Sequence, residues 1–332
     1  MHFKFSEEQE ELRRAARRFL EAESTPEKVR RVMATETGVD ADVWARVAEE
    51  LGWLAVTIPE EHGGLGLDAV DLMPILEEMG RSLFCGPFFS TICLGANALL
   101  LGASEAQKSE YLPAIAAGSL TATLAHTERN GRWDASGIEA TFERSGDEYV
   151  LSGEKRYVLD GHTAGLVIFA ARAEGSRGDE GVSLFALPGD TPGLERAVLP
   201  TMDQTRKQAS MRLDRLRVPR HALLGHEGDG ARVLAKTIDR ALAALAVEQV
   251  GGAEACLDMA VAYAKERKQF GRAIGTFQSI KHTCANMLMR TESARSIAYF
   301  AGLCAAEDST ELAEVAASAK AYCSDAYFFC AA

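Results

Sequence analysis

Few stretches of this chain combine chemically capable side chains with enough local constraint to hold them in place. One is Leu124-Ala-His-Thr-Glu128, where Thr127 closes a strand-like run; a hydroxyl at a strand end commonly satisfies a nearby backbone group. Another is Tyr263-Ala-Lys-Glu-Arg-Lys-Gln-Phe-Gly271. Its charges have the pattern of a solvated helix face, yet Phe270-Gly271 ends the run in what should be an ordered turn, and Arg267 offers a planar fork suited to bidentate pairing. Asp239-Arg240 sets a carboxylate beside a guanidinium in a helical run, the usual arrangement of a surface pair. Pro59-Glu-Glu-His-Gly-Gly-Leu-Gly66 holds too many breakers for a regular element. His126 and His162 stand alone and receive no chemistry. The seven cysteines are scattered without a C-x-x-C pair, so no metal site is expected.

The elements that must carry these residues are bounded by composition. At 332 residues the chain exceeds one ordinary core, and two or three packed units are expected. With 48 acidic against 36 basic residues the net charge is -12, which would repel a polyanion; nucleic acid is therefore not an expected partner. A few placed arginines can still meet the phosphates of a nucleotide. The scattered thiols and a charged, amphipathic start point to the cytoplasm. The longest apolar runs, such as 92–101 with Asn97 inside, fall short of a roughly 20-residue membrane span.

Residues 1–120 read as a helical domain. Ser6-Glu-Glu-Gln9 is a capping box. Apolar stripes at helical spacing then recur through Phe19, through Val43–Leu51 with Gly52 as a C-cap, and through Leu72–Met79, Thr91–Leu101 and Glu105–Ala117. The period changes near Leu120. Seven short strand-like runs follow, at 121–126, 138–144, 148–152, 157–159, 166–171, 182–187 and 209–213, and residues 121–222 are expected to form a β-barrel or sandwich domain. Helical pattern returns for 231–268, 277–307 and 312 to the end, giving a helical bundle over 223–332. The fold class is α+β, helical then β then helical, without the alternation of a parallel α/β sheet.

Several segments, in order, resemble the acyl-CoA dehydrogenase family. They are 50–68 (ELGWLAVTIPEEHGGLGLD), 107–118 (QKSEYLPAIAAG), 146–155 (GDEYVLSGEK), Leu216-Arg-Val-Pro219 with Leu223-Leu-Gly225, and 263–271 (YAKERKQFG) with Phe277-Gln278. Each is weak alone; together they cover essentially the whole chain. The resemblance implies a flavoprotein of fatty-acid and lipid metabolism that binds FAD and an acyl-CoA. In that reaction a carboxylate takes a proton from the α-carbon, a hydride leaves the β-carbon for the flavin, and hydrogen bonds stabilise charge on the thioester oxygen. It further implies that Thr127, Tyr157 and Leu159 lie beside the flavin ring. Arg267, Phe270 and Gln278 are implied to reach the FAD of a neighbouring subunit in a homodimer or homotetramer, and electron-transfer flavoprotein is the implied electron acceptor.

The match departs from the family at several points. Leu159 stands where a threonine is usual and can offer only backbone; Trp133 stands where a serine is usual near the pyrophosphate. The family's usual base lies near its C-terminus, beyond the last residue here. Where some relatives carry the base on the first C-terminal helix, this chain has Ala241 and Leu242, leaving Asp239 with Arg240 as the nearest charged pair, roughly 200° away around the helix. Two alternatives follow: a degenerate subunit of a heteromeric acyl-CoA dehydrogenase, and a non-enzymatic helical scaffold. The bundle is expected to bare Tyr327, Phe328 and Phe329 unless a further subunit covers them.

Overall fold

Ser6 opens the first helix as its spacing predicts: its hydroxyl accepts from the Gln9 amide while the Gln9 side chain accepts from the Ser6 amide, a reciprocal capping box. The computed structural model describes residues 5–332. In chain order its elements are α1 (Glu7–Glu23), α2 (Pro26–Met33), α3 (Ala41–Glu49), α4 (Ala69–Arg81), α5 (Asn97–Gly102) and α6 (Glu105–Ala116), then β1 (Ala122–Ala125), β2 (Thr141–Ser145), β3 (Glu148–Leu159), β4 (Leu166–Ala173), β5 (Val182–Pro188), β6 (Glu195–Val198) and β7 (Gln208–Pro219). They end with α7 (Gly230–Glu266), the short strands β8 (Lys268–Gln269) and β9 (Arg272–Ala273), α8 (Gln278–Ala306) and α9 (Leu312–Ala331). The helical, β, helical order is the expected one. The chain divides into two compact units: a helical unit of Met1–Val29 (as far as it is described), Asp68–Phe84 and Asp239–Ala332, and a sheet unit of Arg30–Leu67 and Cys85–Ile238.

The sheet unit is organised by β4, whose residues are almost continuously buried. Such an unbroken apolar run needs cover on both faces. β1 pairs parallel with the first half of β4 and β2 with its last two residues, while β5 runs antiparallel along the strand. From β2 the sheet continues through β3 and β7 to β6, seven strands in all. Phe142, Tyr149 and Phe185 meet edge to face at 5.2 to 5.7 Å in its core, the arrangement that aromatic quadrupoles favour.

Three local readings are corrected. The runs at 148–152 and 157–159 belong to one strand, β3, interrupted by register shifts against β7; the bulge breaks the alternation that would have revealed continuity. β6, short and largely exposed, carries no apolar pattern and escapes sequence detection. The run at 91–101 is a helix, but Phe89–Ala96 has π-helical hydrogen bonding, a rare form that often marks functional segments.

In the helical unit, Gly80 and Gly251 explain the glycines embedded in helical pattern. A Cβ on Gly80 would sit 1.8 Å from the Glu248 carbonyl oxygen, and one on Gly251 would sit 1.8 Å from that of Glu77. α4 and α7 therefore approach backbone to backbone, which only glycine permits. Beside this contact lies a buried charge network. The Glu77 carboxylate, 2% exposed, accepts from Arg13 at 3.1 Å and also from Arg295 and the Tyr299 hydroxyl. Glu78, 1% exposed, takes Arg17 bidentately at 3.0 and 2.7 Å. The expected bare aromatics are partly corrected: Phe328 and Phe329 are exposed, but Tyr327 is only partly so and packs against Gly252.

Candidate functional site

The sheet unit brings Thr127, Tyr157 and Leu159 together. Thr127 is buried just beyond β1, its carbonyl accepting from the Arg156 amide at 2.8 Å, so the strand end is tied to the β3 bulge one residue before Tyr157. Its hydroxyl lies 3.1 Å from His126 Nε2. Burial, with the nearby charge of Lys155, pushes His126 down to about 4, so this imidazole is neutral at ordinary pH. A buried ion pair fixes both sides of the bulge. Lys155 Nζ donates to Glu128 at 2.6 Å, and the same Glu128 oxygen accepts the Glu139 and Ala140 amides at 3.0 Å each. Lys155 is wholly buried over the Phe169 ring, and burial lowers it to about 8 against the opposing pull of Glu128.

Tyr157 has φ +59° and Asp160 φ +50°. An aromatic residue in the left-handed region is an outlier that persists only when its surroundings impose it. Despite that cost the Tyr157 ring stays half in solvent, at 50% exposure. Asp160, beside it in the chain, accepts from Ser90 of the π-helical segment at 2.6 Å, and burial raises its carboxyl to about 6. Leu159 offers no polar side chain, as expected, and its carbonyl is already engaged by the Thr123 hydroxyl at 2.6 Å. Trp133 is 50% exposed rather than packed into the core.

The helical unit gathers Arg267, Phe270 and Gln278. β8 and β9 form a hairpin whose two central residues, Phe270 and Gly271, have φ +51° and +78°. This is the backbone of a type I′ turn, in which glycine is natural and phenylalanine strained. Phe270 is 91% exposed, its ring 6.1 Å from Phe277, which precedes Gln278 at the start of α8. Arg267 is also exposed, its carbonyl receiving the Ile274 amide at 2.8 Å. The sequence signal for an ordered turn was Phe-Gly itself; the hairpin strands, two residues each, were too short to read. Asp239 is half-buried, which raises its carboxyl, and it has no ion pair or hydrogen bond among the described residues, whereas Arg240 reaches Asp308 at 3.4 Å.

Two strained positions, Tyr157 and Phe270, thus hold aromatic surface outward, in surroundings rigid enough to impose it.

Sequence comparison agrees with the geometry. Residues 6–119, 123–215 and 228–332 match the N-terminal, middle and C-terminal domains of acyl-CoA dehydrogenase. A probable acyl-CoA dehydrogenase, FadE25, of Mycobacterium tuberculosis is 31% identical over 97% of this chain and 83% of its own length. Glutaryl-CoA dehydrogenase of Desulfococcus multivorans is 31% identical over 94% of this chain and 81% of its own. Among solved structures, butyryl-CoA dehydrogenase from Megasphaera elsdenii superposes with a TM-score of 0.90 at 29% identity, covering 98% of this chain and 86% of that one. The chain belongs to the acyl-CoA dehydrogenase family. Its cofactor is FAD and its activity is the oxidation of an acyl-CoA, a reaction of fatty-acid metabolism. Among the described residues no helix is long and apolar enough to cross a membrane.

Proposed function

We propose that this chain performs α,β-dehydrogenation of an acyl-CoA with Thr127, Tyr157 and Leu159 beside the flavin, and with Arg267, Phe270 and Gln278 reaching the FAD of a neighbouring copy. The division into 1–120, 121–222 and 223–332 serves as its three domains. The observation that carries the reading is Tyr157: a strained, half-exposed aromatic at a bulge held by a buried ion pair is costly to keep without a ligand. When bound, FAD supplies the hydride acceptor. The chain's residues supply the stacking face, a phosphate partner in Arg267 and the exclusion of water.

For the proton, Asp239 is the proposed acceptor with Arg240 beside it. Its carboxyl is raised by burial alone, and a higher pKa makes a carboxylate a better base. The assembly is at least a homodimer, since one copy's Arg267 serves the other's cofactor; a homotetramer, or a heteromer with a second acyl-CoA dehydrogenase subunit, extends the same contact. Electron-transfer flavoprotein is the proposed acceptor. The seven free thiols fit the reducing cytoplasm.

An absorbance spectrum of the purified chain tests the reading. We expect flavin bands that bleach on adding acyl-CoA, less retained flavin in Arg267→Ala, and a dimer or larger species in light scattering. A protein that stays colourless with added FAD refutes the cofactor site, and a monomer refutes the shared one. Asp239→Asn should lower kcat by about 10²–10⁴-fold with flavin content intact; an unchanged kcat removes Asp239 from the mechanism.

A further inference from the structure

The Pro59–Gly66 loop sits in the sheet unit, and its backbone leaves it little freedom. The amides of Gly64, Leu65, Gly66 and Leu67 donate to the carbonyls of Pro59, Ala55, Ile58 and Val56 at 2.8 to 3.1 Å. A Cβ on Gly64 would fall 1.9 Å from the Ile58 carbonyl oxygen, so that residue must be glycine for the loop to fold back this closely. Glu60–His62 forms a single 3-10 turn within it. The consequence is a fixed His62 whose side chain is only 6% exposed, aimed at two carboxylates on the surface.

His62 Nε2 lies 3.8 Å from Glu61 Oε1 and 3.7 Å from Glu105 Oε2. Both separations are too long for a hydrogen bond. Nδ1 is buried without any partner. Nε2, the nitrogen that faces the two carboxylates, also makes no hydrogen bond among the described residues, and the orphaned Nδ1 of this buried side chain is an unusual and costly state. The three ligand atoms all lie within 4.8 Å of one another. Around a tetrahedral ion with ligands at about 2.0–2.2 Å, neighbouring donors stand roughly 3.3–3.6 Å apart, so a small contraction closes the set. Glu105 is held ready: Lys108 Nζ takes its other oxygen, Oε1, at 2.8 Å and leaves Oε2 facing His62.

We propose that Glu61, His62 and Glu105 bind one divalent cation of the zinc type, with water completing the shell. One imidazole and two carboxylates form a borderline-to-hard donor set that suits Zn²⁺. The ion clips the glycine loop to the start of α6 and contributes to folding by closing the chain between them. It is a structural cation site, separate from the residues assigned to flavin and proton transfer.

The test is calorimetric titration of the full-length, flavin-loaded protein with Zn²⁺, paired with thermal melts and cobalt(II) absorption. We expect one equivalent to bind and to raise Tm. Affinity should fall at least about tenfold in His62→Gln and in Glu61→Gln/Glu105→Gln, and stay unchanged in Glu110→Gln on the same helix. Because Glu61 and Glu105 are exposed, the double variant keeps its fold, checked by circular dichroism, even if His62→Gln does not. The cobalt complex should lack a thiolate charge-transfer band. Absence of one-to-one binding, binding undiminished in the folded double variant, or a thiolate band pointing to cysteines would each overturn the site.

Discussion

The two units bury charge in opposite ways. The helical unit encloses Glu77 and Glu78 and surrounds them with Arg13, Arg17, Arg295 and Tyr299, so each carboxylate is met by several donors. The sheet unit encloses a long apolar core with few ionised groups; Arg172 donates to backbone carbonyls at the far end of β4, while Lys155, Glu128 and Asp160 cluster next to the strained bulge at Tyr157. In the first, buried charge fastens helices together, and its value lies in complete pairing. In the second, it determines the backbone path of a short segment whose aromatic ring must face outward. The contrast separates a scaffold from a site more sharply than burial alone does.

The largest test of this contrast is on the scaffold side. Glu77→Ala leaves Arg13 and Arg295 facing a cavity, and should destabilise the protein by about 3–5 kcal/mol in denaturant unfolding. A cost below 1 kcal/mol, roughly the range of an exposed pair, would erase the distinction.

The next effect concerns pH. Asp160 is raised by burial from 3.8 to about 6, so its cost is fully present above about 6 and is relieved as pH falls toward 3.8. His126 is lowered from 6.5 to about 4, so stability is lost as pH falls through that window. The two slopes oppose each other. Asp160→Asn should leave the His126 slope alone, with stability falling by on the order of 1–3 kcal/mol on acidification from about 6.5 to 4. Parallel curves for variant and wild type would show that Asp160 does not titrate in this range.

The smallest effect on stability is the most diagnostic. Tyr157→Gly relieves the left-handed backbone, and stability should hold or rise by roughly 1 kcal/mol while flavin retention drops. A large loss of stability would make Tyr157 a core residue and dissolve the comparison.

Periodicity by itself determined the order of helical, strand and helical blocks, because burial of one face imposes a spacing of 3.6 or 2 on apolar residues wherever an element is long enough. The capping box at Ser6, the ordered turn at Phe270-Gly271 and the family motifs were legible for the same local reason. What no local pattern carries is distance across the chain. The pairing of β3 with β7 across its register shifts, the glycine contacts between α4 and α7, the pairing of Glu77 with Arg295, and the meeting of His62 with Glu105 all join residues far apart in sequence. Tertiary packing decided them, because a carboxylate, an imidazole or a glycine looks alike to its sequence neighbours whichever distant group it will face.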